Sequence, residues 1–198
     1  MTTDFRQLQR AARAFGLTYQ QLLARYHADR GQDAPRSGAI TWAQQEMKHV
    51  AKGELRTSFA DSTLRRCWAP LNLRLEPEVH AALIARADLD REETPRIAPS
   101  HYLDAALRTG PRRRPAQLAC MRDFLTTRGG SLAPGRPAVY SVSMDAHQVA
   151  SLLRSPLAPA QLPSGEGYAV ISALTARFLY RLGPQRCDAD RTQPGVGG

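Results

Sequence analysis

The chain has 198 residues, 42% apolar and 23% charged, which suits one compact domain or two small ones. No apolar run approaches the ~20 residues of a membrane-spanning helix, and MTTDFRQLQR lacks the apolar centre of a signal sequence, so a cytoplasmic location is expected. The net charge is +9, a bias that favours a polyanionic partner through counterion release, although the 25 arginines among 27 basic residues would also follow from GC-rich coding.

Residues 4–30 read as two helices around Phe15-Gly16-Leu17-Thr18, with Leu8, Ala12 and Phe15 on one face and Tyr19, Leu22, Leu23 and Tyr26 on the next. Ala12, Gly16 and Leu22 match the spacing of a helix-turn-helix with Thr18 as the cap of the second helix. In that case Gln20, Gln21 and Arg25 would supply secondary DNA contacts. A plain helical hairpin fits the same residues, and no third helix is expected at once. Asp33–Gly38 is a linker by its Pro and Gly content. Thr41–Lys52 reads as a helix capped by Thr41, with Trp42 a core anchor and Lys48, His49 and Lys52 on a basic side. Residues 53–70 read as irregular or a short helix, with Arg65 and Arg66 just before the next element.

Leu71, Leu73 and Leu75 alternate with Asn72 and Arg74, the period of a half-buried strand. Glu76-Pro77 stops it and opens a helix carrying Val79, Leu83 and Ala87 on one stripe. After a polar link, SHYLDAALR reads as a second helix with Ser100 as its N-cap. Arg112–Arg114, bounded by Pro111 and Pro115, should be extended and exposed. Gln117–Thr127 is another helix, and Arg128–Pro137 a flexible connection. Tyr140, Val142 and Met144 then alternate with Ser141 and Ser143; Asp145 can cap a helix carrying Val149, Leu152 and Leu153, and GYAVISALTARFL forms a further helix. The second strand–helix–helix stretch superposes on the first at an offset of 69 in the strand and first helix (Leu83 with Leu152) and 68 in the second helix (Leu103 with Ile171).

The fold expected is therefore mostly α with a small β-ribbon. It comprises a helical N-terminal region over 1–66, a first unit over 67–110, a basic linker and helix over 111–136, a second unit over 137–182 and a disordered tail over 183–198. The net charge of these stretches is uneven: +5 over 1–66 but −2 over 67–110.

Strand, Glu-Pro-Glu, helix, then Ser-x-Tyr-Leu-x-x-Ala-Leu-Arg resembles the ribbon-helix-helix family of DNA-binding proteins, the β-ribbon readers that include Arc and MetJ. Two such units in one chain resemble the tandem members of plasmid conjugation and copy-number systems. The resemblance covers roughly 80 of the 198 residues, and the long links Asp88–Pro99 and Ser155–Gly167 depart from the family's tight turn. It implies that the two units pair as a pseudo-dimer and lay an antiparallel ribbon in the major groove. Asn72, Arg74, Ser141 and Ser143 would contact bases, since Asn and Arg bond bidentately to adenine and guanine edges and Ser to either. Ser100 would meet a backbone phosphate at a helix N-terminus; Glu166, near the matching place in the second unit, would repel one. The Arg112, Arg113 and Arg114 run reads either as a further phosphate contact or as a solubilising linker.

Catalytic signatures are missing from the sequence: it holds no GxxxxGK[ST] loop, GxGxxG after a strand, HExxH or GxSxG. No enzymatic activity and no cofactor are expected. Cys67, Cys120 and Cys187 are odd in number and far apart, so neither a disulfide framework nor a metal knuckle is suggested. Cys67, His80 and His101 fall within one unit, but no metal is expected there, and Asp88, Asp90, Glu92 and Glu93 read as helix-end solvation. The function expected is a sequence-specific double-stranded DNA-binding protein, a repressor or nucleoprotein accessory factor of plasmid or phage origin, with other proteins and a second copy as further partners. The alternative is a protein–protein adaptor whose arginines meet an acidic partner; RNA ranks lower for want of aromatic-bearing strands.

Overall fold

The computed structural model describes residues 3–15, 17–63, 68–130, 135–154 and 166–183. Expectations for Arg65, Arg66, Cys67, Cys187, most of the Ser155–Gly167 link and the tail beyond residue 183 lie outside the described residues. The elements run α1 (Thr3–Phe15), α2 (Tyr19–Arg30), α3 (Gly38–Thr63), β1 (Trp68–Arg74), α4 (Pro77–Asp90), α5 (Pro99–Thr109), α6 (Arg114–Thr127), β2 (Pro137–Ser143), α7 (Met144–Arg154) and α8 (Glu166–Leu182). The protein is mostly helical, with one small two-stranded antiparallel sheet. Among the described residues no helix is long and apolar enough to cross a membrane.

The first three helices close a small core of their own. Thr18 caps α2 through a capping box: its hydroxyl accepts from the Gln21 amide (3.2 Å), and the Gln21 side chain accepts from the Thr18 amide (2.8 Å). Leu8, Ala12, Leu22, Tyr26, Trp42 and Met47 pack together, and the Trp42 indole donates to Asp29 (2.8 Å). A third helix thus does complete a trihelical core, against the sequence expectation. That helix is longer than expected. It starts at Gly38 rather than being capped at Thr41, and it runs through Gly53 to Thr63 instead of ending near Lys52. A helical glycine costs about 1 kcal/mol relative to alanine, and burial of Leu55 and Ser58 beyond it outweighs that. Its 26 residues span about 39 Å at 1.5 Å per residue, so its first half serves the N-terminal core while Ala51 and Leu55 serve the larger one.

The larger core lies beneath the sheet. β1 and β2 pair with Leu71 opposite Tyr140, Trp68 opposite Ser143 and Arg74 opposite Pro137. Leu71, Leu73, Tyr140 and Val142 are buried, as alternation requires of a ribbon with one face on a core. Leu75, just beyond β1, is buried too. The Ser141 amide turns away from β1 to the Ser100 hydroxyl (3.2 Å), so Ser141 and Pro70 form a non-hydrogen-bonded pair. By parity Asn72–Val139 and Arg74–Pro137 do the same, and neither proline removes a ladder bond.

Each strand is followed by a helix pair, and the second helices are the most buried elements. Residues 101–107 of α5 and 169–175 of α8 are buried without a break, a match at the offset of 68. The first helices match less well. Val79 and Leu83 of α4 are buried, but Leu152, the expected partner of Leu83, is 74% exposed. α7 starts directly after its strand whereas Leu75 and Glu76 separate β1 from α4. The inward positions of α7 therefore fall two residues early, on Ala146 and Ala150. For the same reason Met144, expected inward, opens α7 and is 47% exposed.

The junctions before α4 and α7 are clamped reciprocally. Glu76 is the N-cap of α4: its carboxylate accepts from the Val79 amide (2.9 Å), while its own amide donates to Ser172 of α8 (2.9 Å). Ser143 precedes α7 and accepts from the Ala146 amide (3.3 Å), a place expected of Asp145; its own amide donates to Asp104 of α5 (2.9 Å). Asp104 and Ser172 occupy equivalent positions at the offset of 68. Each second helix thus holds the strand–helix junction of the other stretch.

Candidate nucleic-acid interface

The face of the ribbon turned away from the core carries Pro70, Asn72 and Arg74 from β1 beside Ser141, Val139 and Pro137 from β2. Period-two pleating sets this outcome once the leucines are inward. All six side chains are exposed, and Val139 stands 68% exposed between Arg74 and Ser141 on the same face. Cross-strand neighbours in non-hydrogen-bonded pairs have their Cα atoms about 4.5 Å apart, so Asn72 and Val139 present one contiguous patch. Alternation continued one step further, through Pro137 and Val139, was the signal that could have placed Val139 here from sequence.

The ribbon brings together three of the four expected base contacts. Asn72, Arg74 and Ser141 point outward, but Ser143 does not join them. Its hydroxyl donates to Asp104 (2.5 Å) and accepts from the start of α7, so it is committed to the fold. Asp104 is fully buried and also accepts from Ser58 of α3, with Arg108 at 3.6 Å; Arg108 in turn donates to Asp61 (2.6 Å). This cluster ties α3, α5 and β2 at one end of the ribbon.

Ser100 is not the N-cap of α5. The helix starts at Pro99 with Ala98 as the cap residue, and His101 supplies the capping acceptor, its Nδ1 receiving the Ala98 amide (2.8 Å). The reason is Pro99, whose fixed φ suits the first helical position. Ser100 nevertheless sits at the ribbon, bonded to the Ser141 amide, so the N-terminus of α5 abuts the edge of β2. Glu166 is the first residue of α8, with its side chain outside the described residues.

Arg112–Arg114 lie at the other end of α5, whose 11 residues put about 16 Å of helix rise between them and Ser100. The run is not extended throughout. Arg114 opens α6 and is half-buried, because Pro115 begins a helix there; Arg112 and Arg113 are exposed, and Arg112 donates to the Arg108 carbonyl (3.1 Å). Gln20, Gln21 and Arg25 are exposed on α2, but the Gln21 side chain is spent on the capping box, which removes it as a groove contact. Arg136 is exposed just ahead of β2, while Arg128 pairs with Glu78 and lies 3.6 Å from Glu76.

His80 packs edge-on to Tyr140 (6.4 Å between centroids). His101 passes its Nε2 to Ser62 (2.8 Å), and its pKa is lowered by burial with Asp104 pulling the other way. No group of three metal-ligating side chains assembles among the described residues. Of the acidic cluster, Asp88 pairs with Arg91, and Asp90 pairs with Arg86 (2.9 Å) and accepts from Tyr102 (2.6 Å). No protein-family model matches the chain, and no curated protein or solved structure matches it.

Proposed function

We propose that the protein binds double-stranded DNA by laying the β1–β2 ribbon in the major groove, its two strand–helix–helix stretches acting as a pseudo-dimer of the ribbon-helix-helix kind. One observation carries this reading: segments 69 residues apart in sequence pair antiparallel with the equivalent residues Leu71 and Tyr140 directly opposite. That is the register a two-fold axis through the ribbon would impose. The reciprocal clamps on Glu76 and Ser143, and the matching buried runs of α5 and α8, support the same symmetry. On the outward face Arg74 would read guanine, Asn72 adenine and Ser141 either, while Val139 suits a thymine methyl. The excess of arginine supplies sequence-independent attraction to phosphates.

Fluorescence anisotropy with random duplex, single-stranded DNA and RNA at two salt concentrations tests the class of partner. Duplex should bind tightest, and its affinity should fall steeply with salt. Selection of preferred sites from a random duplex pool then tests the reader. Arg74→Ala should lose about 1–3 kcal/mol of discrimination at one base position. Replacing Arg112 and Arg113 with Ala should weaken all duplexes alike and lower the salt slope by up to about 0.9 per lost phosphate contact. Absent or salt-independent duplex binding rejects the proposal, and a stable heteromeric complex with an acidic protein would replace it.

A further inference from the structure

We propose that the cleft between α1 on one side and α6 with α8 on the other binds a small amphipathic anion, an aromatic or alkyl carboxylate or phosphate. The cleft is open to solvent on one side and has a volume of about 680 Å³, within the roughly 300–1,000 Å³ usual for small-molecule sites. Alanines make up much of its lining: Ala116 and Ala119 of α6 with Ala173 and Ala176 of α8. Four short side chains at one meeting place leave space that leucines would fill. Leu17, Phe124 and Tyr180 complete an apolar lining.

The rim is cationic. Among the described residues, Arg6, Arg10 and Arg13 line it from α1 and Arg177 from α8, with Asp123 as the acid on the lining. Residues 6, 10 and 13 are spaced i, i+4, i+7, so one helix face of α1 aims three guanidiniums at the opening. Like charges at that spacing destabilise an isolated helix, and an anion between them would relieve this. Contacts cross the cleft. Arg10 lies over the Tyr180 ring at 5.0 Å, and Arg13 meets Asp123 at 3.4 Å with both side chains more than half exposed. Exposed pairs of this sort contribute little and can yield to a ligand's charge. A duplex backbone offers nothing to the alanine floor, whereas a ligand with an apolar body and one anionic end matches both halves of the site.

The test is a fluorescence titration of the full chain with 8-anilinonaphthalene-1-sulfonate, an aromatic anion. Saturable binding at one site is expected, displaced by dodecanoate but not by dodecanol or citrate at equal concentration. Arg10→Gln with Arg13→Gln should weaken binding about tenfold or more, as expected for lost charge-assisted hydrogen bonds. Ala119→Trp, at an exposed position among the alanines lining the cleft, should abolish it by filling the cleft. Circular dichroism melts of each variant establish that the fold is retained; if Ala119→Trp unfolds, the arginine pair alone decides. Binding that does not saturate, equal displacement by dodecanol, or unchanged affinity in the folded arginine variant would overturn the proposal. So would displacement by a poly-glutamate helix or by duplex DNA in preference to dodecanoate, which would assign the surface to a macromolecule.

Discussion

Removing the carboxylate of Asp104 should cost more stability than any other single polar change in the described protein. The residue is fully buried and accepts from three donors, the Ser143 amide (2.9 Å), the Ser143 hydroxyl (2.5 Å) and the Ser58 hydroxyl. Asp104→Ala strands all three without changing any of them. Each stranded donor costs about 1–3 kcal/mol. The two hydroxyls can rotate toward other acceptors, and Arg108 keeps Asp61 (2.6 Å), so the lower part of the summed range applies, about 3–5 kcal/mol. For a chain of this length that corresponds to a fall in Tm of roughly 6–20 °C. Urea titration followed by circular dichroism at 222 nm measures the loss directly, with an unchanged m-value showing that stability alone has moved. Asp104→Asn keeps one acceptor oxygen and should lose about half as much. A double-mutant cycle with Ser143→Ala isolates the contact, with a coupling of about 1 kcal/mol or more expected. A loss under about 1 kcal/mol for Asp104→Ala, or strict additivity in the cycle, would refute the view that this cluster fixes the end of the ribbon.

Tyr140 is buried with no hydrogen-bond partner for its hydroxyl among the described residues, and burial pushes its pKa up to about 12. Tyr140→Phe should therefore leave stability unchanged or raise it by about 1 kcal/mol; a clear loss in urea titration would mean that the hydroxyl is satisfied. Gly135 donates its amide to the Leu75 carbonyl (3.0 Å), and a Cβ there would clash with that oxygen. Gly135→Ala must then displace backbone at the end of β1, at a cost of about 1–3 kcal/mol, and a wild-type melting curve would contradict this. His101 has its pKa lowered from 6.5 by burial, so below that pH the unfolded chain takes up a proton that the folded chain resists. Stability should fall as pH drops from 6.5 toward the folded pKa. The decline from pH 7.5 to 5.5 should be shallower in His101→Gln, and parallel curves would show that His101 does not contribute.

Composition and periodicity were enough for much of the architecture. Alternation at Leu71, Leu73 and Leu75 and again at Tyr140 and Val142 identified two half-buried strands, because period two has one structural meaning when one face must leave water. Glu76-Pro77 and Thr18 marked helix starts because capping and proline geometry act within three or four residues. The outward placement of Asn72, Arg74 and Ser141 followed from the same alternation, so most of the candidate reading face was legible in the sequence.

Other features depended on contacts tens of residues away in sequence. Ser143 is lost to the interface because Asp104, 39 positions earlier, arrives beside it, and Ser100 is drawn to the amide of Ser141. Leu152 and Met144 look as apolar as Leu83 and Leu75, yet a helix beginning two residues sooner rotates them outward. α3 passes through Gly53 because two separate cores bury its two halves. The cleft with its alanine floor and arginine rim exists only where α1, α6 and α8 meet. A linear pattern encodes which side of an element is apolar. Which neighbour that side meets, and which polar atom a buried donor finds there, is settled by packing, since the energy of those contacts belongs to pairs and not to single positions.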